Sequence, residues 1–443
     1  MKRGAPSILS SPQSHTGKST QLTPSAVLLK STCEATRLAC ELKRPADAVL
    51  SEFFRANRNL GSHDRPFVAE TVFSVLRNKR LLETIVPHPD PRRLVIASLA
   101  KLQGLSIKAL RPLVSRQDEE WLIEVKRVRA ETLPLPVRLS LPDWVWQRIE
   151  AQRGETAAAR LGQALLAQAP LDLRVNTLIA SRDEVLEALN NSGLAATATP
   201  YSPTGVRMDG KPALNQHTLF LSGKVEIQDE GSQLLGMLVA PRRREMVVDF
   251  CAGAGGKTLL LGALMQNQGR LYAFDVSDKR LDALKQRLKR SRLSNVHPQR
   301  IASERDPRIK RLAGKIDRVL VDAPCSGMGT LRRNPDIKWR QSPASVDELI
   351  AKQRRILAAS AQLLKPGGRL VYATCSLLQE ENEQVVEDFL ASENGGFTPV
   401  DCQSILDSQQ IELQTGRYFQ VLPDSHQCDG FFAAVLERSA DHK

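Results

Sequence analysis

The rhythm of apolar and polar positions changes twice along the chain. From about residue 25 to residue 138 apolar residues recur at helical spacing, as in Phe67-Val68-x-x-Thr71-Val72-Phe73-x-Val75-Leu76, which predicts an all-α domain. Pro134, Pro136 and Pro142 punctuate the chain before a further helical stretch over 144–168. Leu171-Asp-Leu-Arg-Val-Asn176 then reads as a short strand, and Ser181-Arg-Asp-Glu184 as a capping box opening a helix that ends near Gly193. A strand over 224–229 and a helix over 230–239 complete a small insert of β-α-β character. After Arg244 the pattern becomes strand, turn, helix, repeated: strands over 246–250, 270–275, 318–322 and 369–374, with a helical spacer over 346–364. This alternation predicts an α/β domain built on a doubly wound, mainly parallel sheet. Lys365-Pro-Gly-Gly368 should end a helix and turn the chain into the last of these strands. The expected organisation is a disordered tail over 1–24, an all-α domain over 25–140, a helical linker with a small α+β subdomain over 141–240, and the sheet domain over 241–437.

Length and composition fit this picture: 443 residues, 42% of them apolar, suffice for two or three domains with ordinary cores. No run of about 18 apolar residues is present to span a bilayer, so no membrane partner is expected. The seven cysteines are an odd number, scattered, and form no Cys-x-x-Cys pair, which points to reduced thiols in a cytoplasmic setting and to no metal site. Residues before Glu34 contain no acid but carry Lys2, Arg3 and Lys18, so the competing reading of the tail is an organellar transit peptide.

Net charge is +13, and between Lys279 and Arg318 fourteen Lys and Arg face four acids. A second basic knot follows over 331–340, with Arg332, Arg333, Lys338 and Arg340. A solvated helix face is one account of such runs; a polyanion, most plausibly nucleic acid, is the other. Aromatics are only 5% of residues and no RNP-type aromatic strand occurs, which disfavours a stacking-sheet RNA module.

The chemistry-bearing residues all fall at the carboxyl ends of predicted strands, where open α/β sheets bind ligands: Asp249 with the turn Cys251-Ala252-Gly253-Ala254-Gly255-Gly256-Lys257, then Asp275, then Asp322-Ala-Pro-Cys325, then Thr374-Cys375. The turn lacks the first glycine of a phosphate-binding P-loop, since Cys251 stands there. A glycine turn followed by an acid on the next strand suits an adenosine ribose, leaving NAD, FAD and S-adenosylmethionine open. The thiols discriminate. Carbon 5 of a cytosine is too electron-poor to attack a methyl sulfonium unless a thiolate first adds at carbon 6, so a cysteine beside an adenosyl cofactor makes chemical sense. Asp322 is placed to assist by proton donation or hydrogen bonding at the ring nitrogen. Arg332, Arg333 and Lys338, close in sequence to Cys325, are expected to favour its thiolate.

Asp322-Ala-Pro-Cys325-Ser-Gly-Met-Gly-Thr-Leu-Arg-Arg-Asn-Pro-Asp336-Ile-Lys338-Trp339, Tyr372-Ala-Thr-Cys375-Ser376, Cys251-Ala-Gly-Ala-Gly-Gly-Lys257 and Asp429-Gly-Phe-Phe432 together resemble the Fmu/Sun/RsmB-type RNA cytosine-5 methyltransferases. The resemblance covers roughly 150–437, and Asn59 to Arg65 with Val75 to Asn78 is similar to the NusB-like RNA-binding domain that bacterial ribosomal members place first. It implies a Rossmann-like catalytic domain using S-adenosylmethionine and an RNA substrate, 16S ribosomal RNA, rather than DNA. Alternatives are transfer or 23S ribosomal RNA, or an RNA-binding assembly factor whose catalytic fold is vestigial. By the resemblance Cys375 is the nucleophile and Cys325 helps to break the adduct. Cys251 to Lys257, Asp275 and Asp322 would line the cofactor pocket. The chain departs from the family with Gly253-Ala254 where Ala-Pro is usual, and with Glu304, flanked by Ser303 and Asp306, where a strand-end Asp is usual. Cys33, Cys40, Cys402 and Cys428 match no motif and are read as structural.

Overall fold

The computed structural model describes residues 23–392 and 396–440; most of the expected tail lies outside them. The helical rhythm at the start becomes a set of packed helices, among them Ala26–Ala39, Ala46–Ala56, Asp64–Arg77 and Arg116–Arg127. In Asp64–Arg77 the apolar repeat buries Val68, Val72, Val75 and Leu76, as its spacing requires. Among the described residues no helix is long and apolar enough to cross a membrane.

The helices Asp143–Arg153 and Glu155–Leu165 follow, and their apolar face packs on Met328, Leu331, Leu377 and Leu378, just beyond the two cysteine motifs. Next comes a small sheet of β1 (Leu171–Val175), β2 (Ala196–Ala198), β3 (Gly205–Met208) and β4 (Val225–Ile227), in the order β2-β3-β1-β4. It is antiparallel throughout, with two short strands beyond those expected, so the insert is not a β-α-β unit. The capping box at Ser181 and Glu184 does open the helix Arg182–Asn191.

The C-terminal sheet has the order β10-β12-β9-β8-β5-β6-β7, formed by β5 (Met246–Asp249), β6 (Arg270–Asp275), β7 (Val296–Arg300), β8 (Ile316–Asp322), β9 (Leu364–Thr374), β10 (Phe397–Val400) and β12 (Phe431–Arg438); β11 (Phe419–Val421) adds to β12. β5 to β9 pair in parallel and β10 to β12 antiparallel. The chain leaves β5 toward β6 and β7, then returns to β8 and β9 on the other side. This reversal opens a crevice at the carboxyl ends of β5, β6, β8 and β9. Two apolar clusters fill the two faces of the sheet, one around Leu260, Leu271 and Leu284, the other around Phe274, Val319 and Tyr372.

Candidate active site

The strand β5 ends at Asp249 and runs through the glycine turn into the helix Gly256–Leu264. Gly253 (φ +55°) and Gly255 (φ +87°) adopt the left-handed backbone that a side chain disfavours. The turn is held from outside. Asp275 at the end of β6 accepts from the Gly253 N–H (2.9 Å) and, through its other oxygen, from Ser277 N–H (2.8 Å). Arg287 donates to the Ala254 carbonyl (2.9 Å), and Arg174, from the small sheet, to the Gly256 carbonyl (2.6 Å).

Two acids behave differently within this frame. Lys257 Nζ meets Asp322 Oδ2 at 2.8 Å; burial alone would pull the lysine down, but Asp322, with Cys375 and Asp249, outweighs it and holds the ammonium above its ordinary pKa. Asp249 accepts from the Thr258 hydroxyl (2.7 Å) through one oxygen, while the other is buried with no partner. Burial, with Asp322 nearby, pushes its carboxyl up to about 7 against the opposing Thr258 hydrogen bond. Asp249, Lys257 and Asp322 line a cavity of about 680 Å³, within the size range of small-molecule sites.

In the wall of the same cavity the thiols of Cys325 and Cys375 lie 3.4 Å apart. The hydrogen bond to Cys375, then burial, raises Cys325 well above its ordinary pKa. The expected help from neighbouring cations is corrected here. Arg332 and Arg333 pair with Asp429 (3.0 and 2.6 Å), Arg333 also with Asp229 (2.7 Å), and Lys338 donates to the Arg77 carbonyl (2.8 Å), so these charges are engaged within the fold.

Of the residues singled out in the sequence, Cys251, Ala252, Gly253, Ala254, Gly256, Lys257, Asp275, Glu304, Asp322, Cys325 and Cys375 line this one cavity. Gly255 does not. A Cβ there would come 2.1 Å from Leu284 Cδ1, so its contribution is backbone shape and close packing. Glu304 is at the wall, but its carboxylate is drawn to Arg355 (3.2 Å); Ser303 lines the cavity beside it, and Asp306 instead accepts from Ala302 and Arg308 N–H groups. Cys251 is pushed up by burial, and Cys33, Cys40 and Cys402 by burial to about 11, 11 and 12, as befits inert thiols. Sequence reasoning missed Gln228 and Arg287 at the cavity, Arg174 behind the glycine turn, and Glu381, buried between the two cysteine loops. Glu381 sits in the acidic run Glu380 to Glu383, whose composition looks like solvated surface.

Residues 236–437 match the family described as 16S rRNA methyltransferase RsmB/F, and residues 141–215 match its ferredoxin-like domain. A probable ribosomal RNA small subunit methyltransferase B of Synechocystis is 33% identical over 86% of this chain and 92% of its own. The ribosomal RNA small subunit methyltransferase B of Cronobacter sakazakii is 34% identical over 80% of this chain and 79% of its own. Among solved structures, the methyltransferase homolog protein from Pyrococcus horikoshii superposes with a TM-score of 0.60 at 29% identity, covering 70% of this chain and 100% of that one. The Rossmann-like sheet, the antiparallel subdomain and the relative matched nearly end to end lead to one assignment: the chain belongs to the RsmB/F family of 16S rRNA methyltransferases.

Proposed function

We propose that the protein transfers a methyl group from S-adenosylmethionine to carbon 5 of a cytosine in small-subunit (16S) ribosomal RNA, through a covalent bond from Cys375 to the pyrimidine. The observation that carries this reading is the pair of thiols 3.4 Å apart in the wall of a cavity that the Lys257–Asp322 pair also lines. A methyl donor alone would need no nucleophile; a cytosine acceptor needs one.

The residues present fit the cofactor. The partnerless oxygen of Asp249 is a buried acceptor that a cofactor ammonium would satisfy, and Asp275, which lines the cavity, would accept from ribose hydroxyls. When bound, S-adenosylmethionine supplies an electrophilic methyl on a sulfonium. Cys375, as thiolate, adds to carbon 6, and the electron pair moves to carbon 5, which takes the methyl. Asp322, whose carboxylate Lys257 fixes, accepts from the exocyclic amine beside the ring nitrogen. Solvent water then takes the carbon 5 proton, the electron pair restores the carbon 5–carbon 6 double bond and expels the Cys375 sulfur, and the Cys325 thiol at 3.4 Å donates to that sulfur as it leaves. Rings stacked in a helix are out of reach of these thiols, so the target base must be swung out. The helical region over 25–140 is read as an NusB-like RNA-binding domain, supported by exposed Arg55, Arg58 and Arg65 around Phe54.

The test uses RNA from a strain lacking the protein and labelled cofactor. Cys375→Ala should abolish both methylation and covalent adduct. Cys325→Ala should accumulate an RNA adduct that survives denaturing electrophoresis. The reverse pattern would exchange the two roles, and loss of label into cytosine altogether would end the proposal.

A further inference from the structure

Glu381 is fully buried, and its carboxylate takes four donors. Oε1 accepts from the Ser326 N–H (2.8 Å) and the Gln353 amide (2.9 Å); Oε2 accepts from the hydroxyls of Ser326 and Ser376, both at 2.5 Å. These two serines directly follow Cys325 and Cys375, and their hydroxyls are 3.2 Å apart. The Gln353 amide also donates to the carbonyl of Pro324, on the other side of Cys325 (3.0 Å). The acid is itself anchored to β9, since the Tyr372 hydroxyl donates to its backbone carbonyl (2.6 Å), and Asn382 beside it bonds the Thr374 hydroxyl and the Ser376 carbonyl.

The β8–β9 ladder ends at the pair Asp322 and Ala373, just before the cysteines. Beyond that point the two chains run into separate loops, joined by a backbone hydrogen bond from the Gly329 N–H to the Cys375 carbonyl (2.8 Å) rather than by a continuing ladder. The Glu381 carboxylate, which collects donors from both loops, adds a second tie immediately beside the thiols. Burying it is costly unless its lone pairs are filled, so the arrangement holds only while both serine hydroxyls point at the same oxygen, Oε2. We infer that Glu381 is a positioning residue that clamps the Cys325 and Cys375 loops together and thereby sets the distance between their thiols. Its charge is also among the causes, after the Cys375 hydrogen bond and burial, that keep Cys325 protonated. The catalytic meaning of the clamp rests on the cysteine chemistry proposed above; the clamp itself does not.

Phenylarsine oxide separates the two. Two thiols within reach displace its oxygen as water, which carries off both thiol protons, and two arsenic–sulfur bonds form without RNA or cofactor. In the full-length protein, peptide mass mapping should find Cys325 and Cys375 bridged, and Glu381→Gln should slow that bridging at least tenfold because an amide nitrogen would confront a donor. In methylation assays Glu381→Gln should lower kcat about a hundredfold, the scale of an ångström-sized misplacement, while KM for RNA and cofactor stays within about threefold. Should the wild type bridge but make no 5-methylcytidine, the reaction is wrong and the clamp stands. Bridging in Glu381→Gln at the wild-type rate, whatever its turnover, overturns the clamp. If that variant does not melt cooperatively, Ser376→Ala, which removes one donor of four, decides the matter: bridging slowed supports the clamp, bridging unchanged overturns it.

Discussion

Asp249 concentrates the tension of the site in one side chain. Its charge is buried, half its hydrogen-bonding capacity is unmet, and its carboxyl titrates near 7 where a free aspartate would titrate near 3.8. For a carboxylate raised on folding, the cost to the folded protein is absent below the unfolded value, grows as pH rises, and is complete above about 7. A ligand that donates to the ionised form reverses that cost, so binding must release a proton below pH 7. Affinity for S-adenosylmethionine should therefore strengthen by up to about tenfold per pH unit as pH rises toward 7, then level off. Asp249→Asn should flatten that dependence and weaken binding by about 10–100-fold, the worth of a hydrogen bond to a charged group. Calorimetric titration from pH 5.5 to 8.5 reads both, and an unchanged pH profile in the variant would remove Asp249 from the cofactor's partners. The acid at a strand end was legible in the sequence; that one of its oxygens would find no donor was not, because this depends on what β8 and the glycine turn bring over it.

The turn between β5 and its helix is an element whose shape depends on the helix behind it. Gly255 needs a left-handed backbone and also leaves room for Leu284 of the helix Asp278–Ser291. Gly255→Ala combines backbone strain with overpacking, each about 1–3 kcal/mol, and should lower the melting temperature by about 4–10 °C. Gly314→Ala, also at positive φ but with nothing within 4 Å, carries the strain without the clash and should lower it by less. Thermal melts with and without cofactor distinguish them: only Gly255→Ala should also shrink the cofactor-induced shift. β5, β6, β8 and β9 were readable because each carries an apolar run; β7 was not, since Val296-His-Pro-Gln-Arg300 has none. The short β2 and β3 were not, since Ala196–Ala198 and Gly205–Met208 are too brief to show a period and are stabilised by partners across the sheet. Lys365 to Gly368 read as a helix end, yet belong to β9: they bulge opposite Asp317 alone, with Gly367 at φ +73° and Lys365 paired to Asp317.

At the scale of the whole molecule the segment 331–340 joins the parts. Arg77 of the N-terminal helices donates to the Arg332 carbonyl, Trp339 donates to the Leu76 carbonyl, and the Ala46 N–H reaches Asp336. Arg333 bridges Asp229, which follows β4, to Asp429, which precedes β12. Its cations looked available for RNA because a linear reading counts charge, whereas the partners of Arg332, Arg333 and Lys338 lie 95 to 261 residues away in the chain and Arg340 turns back on Asp336. Burial and the neighbouring Asp429 raise Asp229 to about 6, with Arg333 opposing. Removing the guanidinium in Arg333→Ala leaves Asp429 with Arg332 but strips Asp229 of its cation. The stranded carboxylate should cost about 3–5 kcal/mol at pH 7.5, where it is ionised. Because the raised pKa lets Asp229 take up a proton as pH falls, the loss should shrink to about half at pH 5. Urea unfolding of Arg333→Ala and wild type at both pH values measures the difference, and Asp229→Asn in the same background should abolish its pH dependence. An equal loss at pH 5 and 7.5 would mean that Arg333 acts through packing of its stem rather than through the charge that ties the subdomain to the sheet.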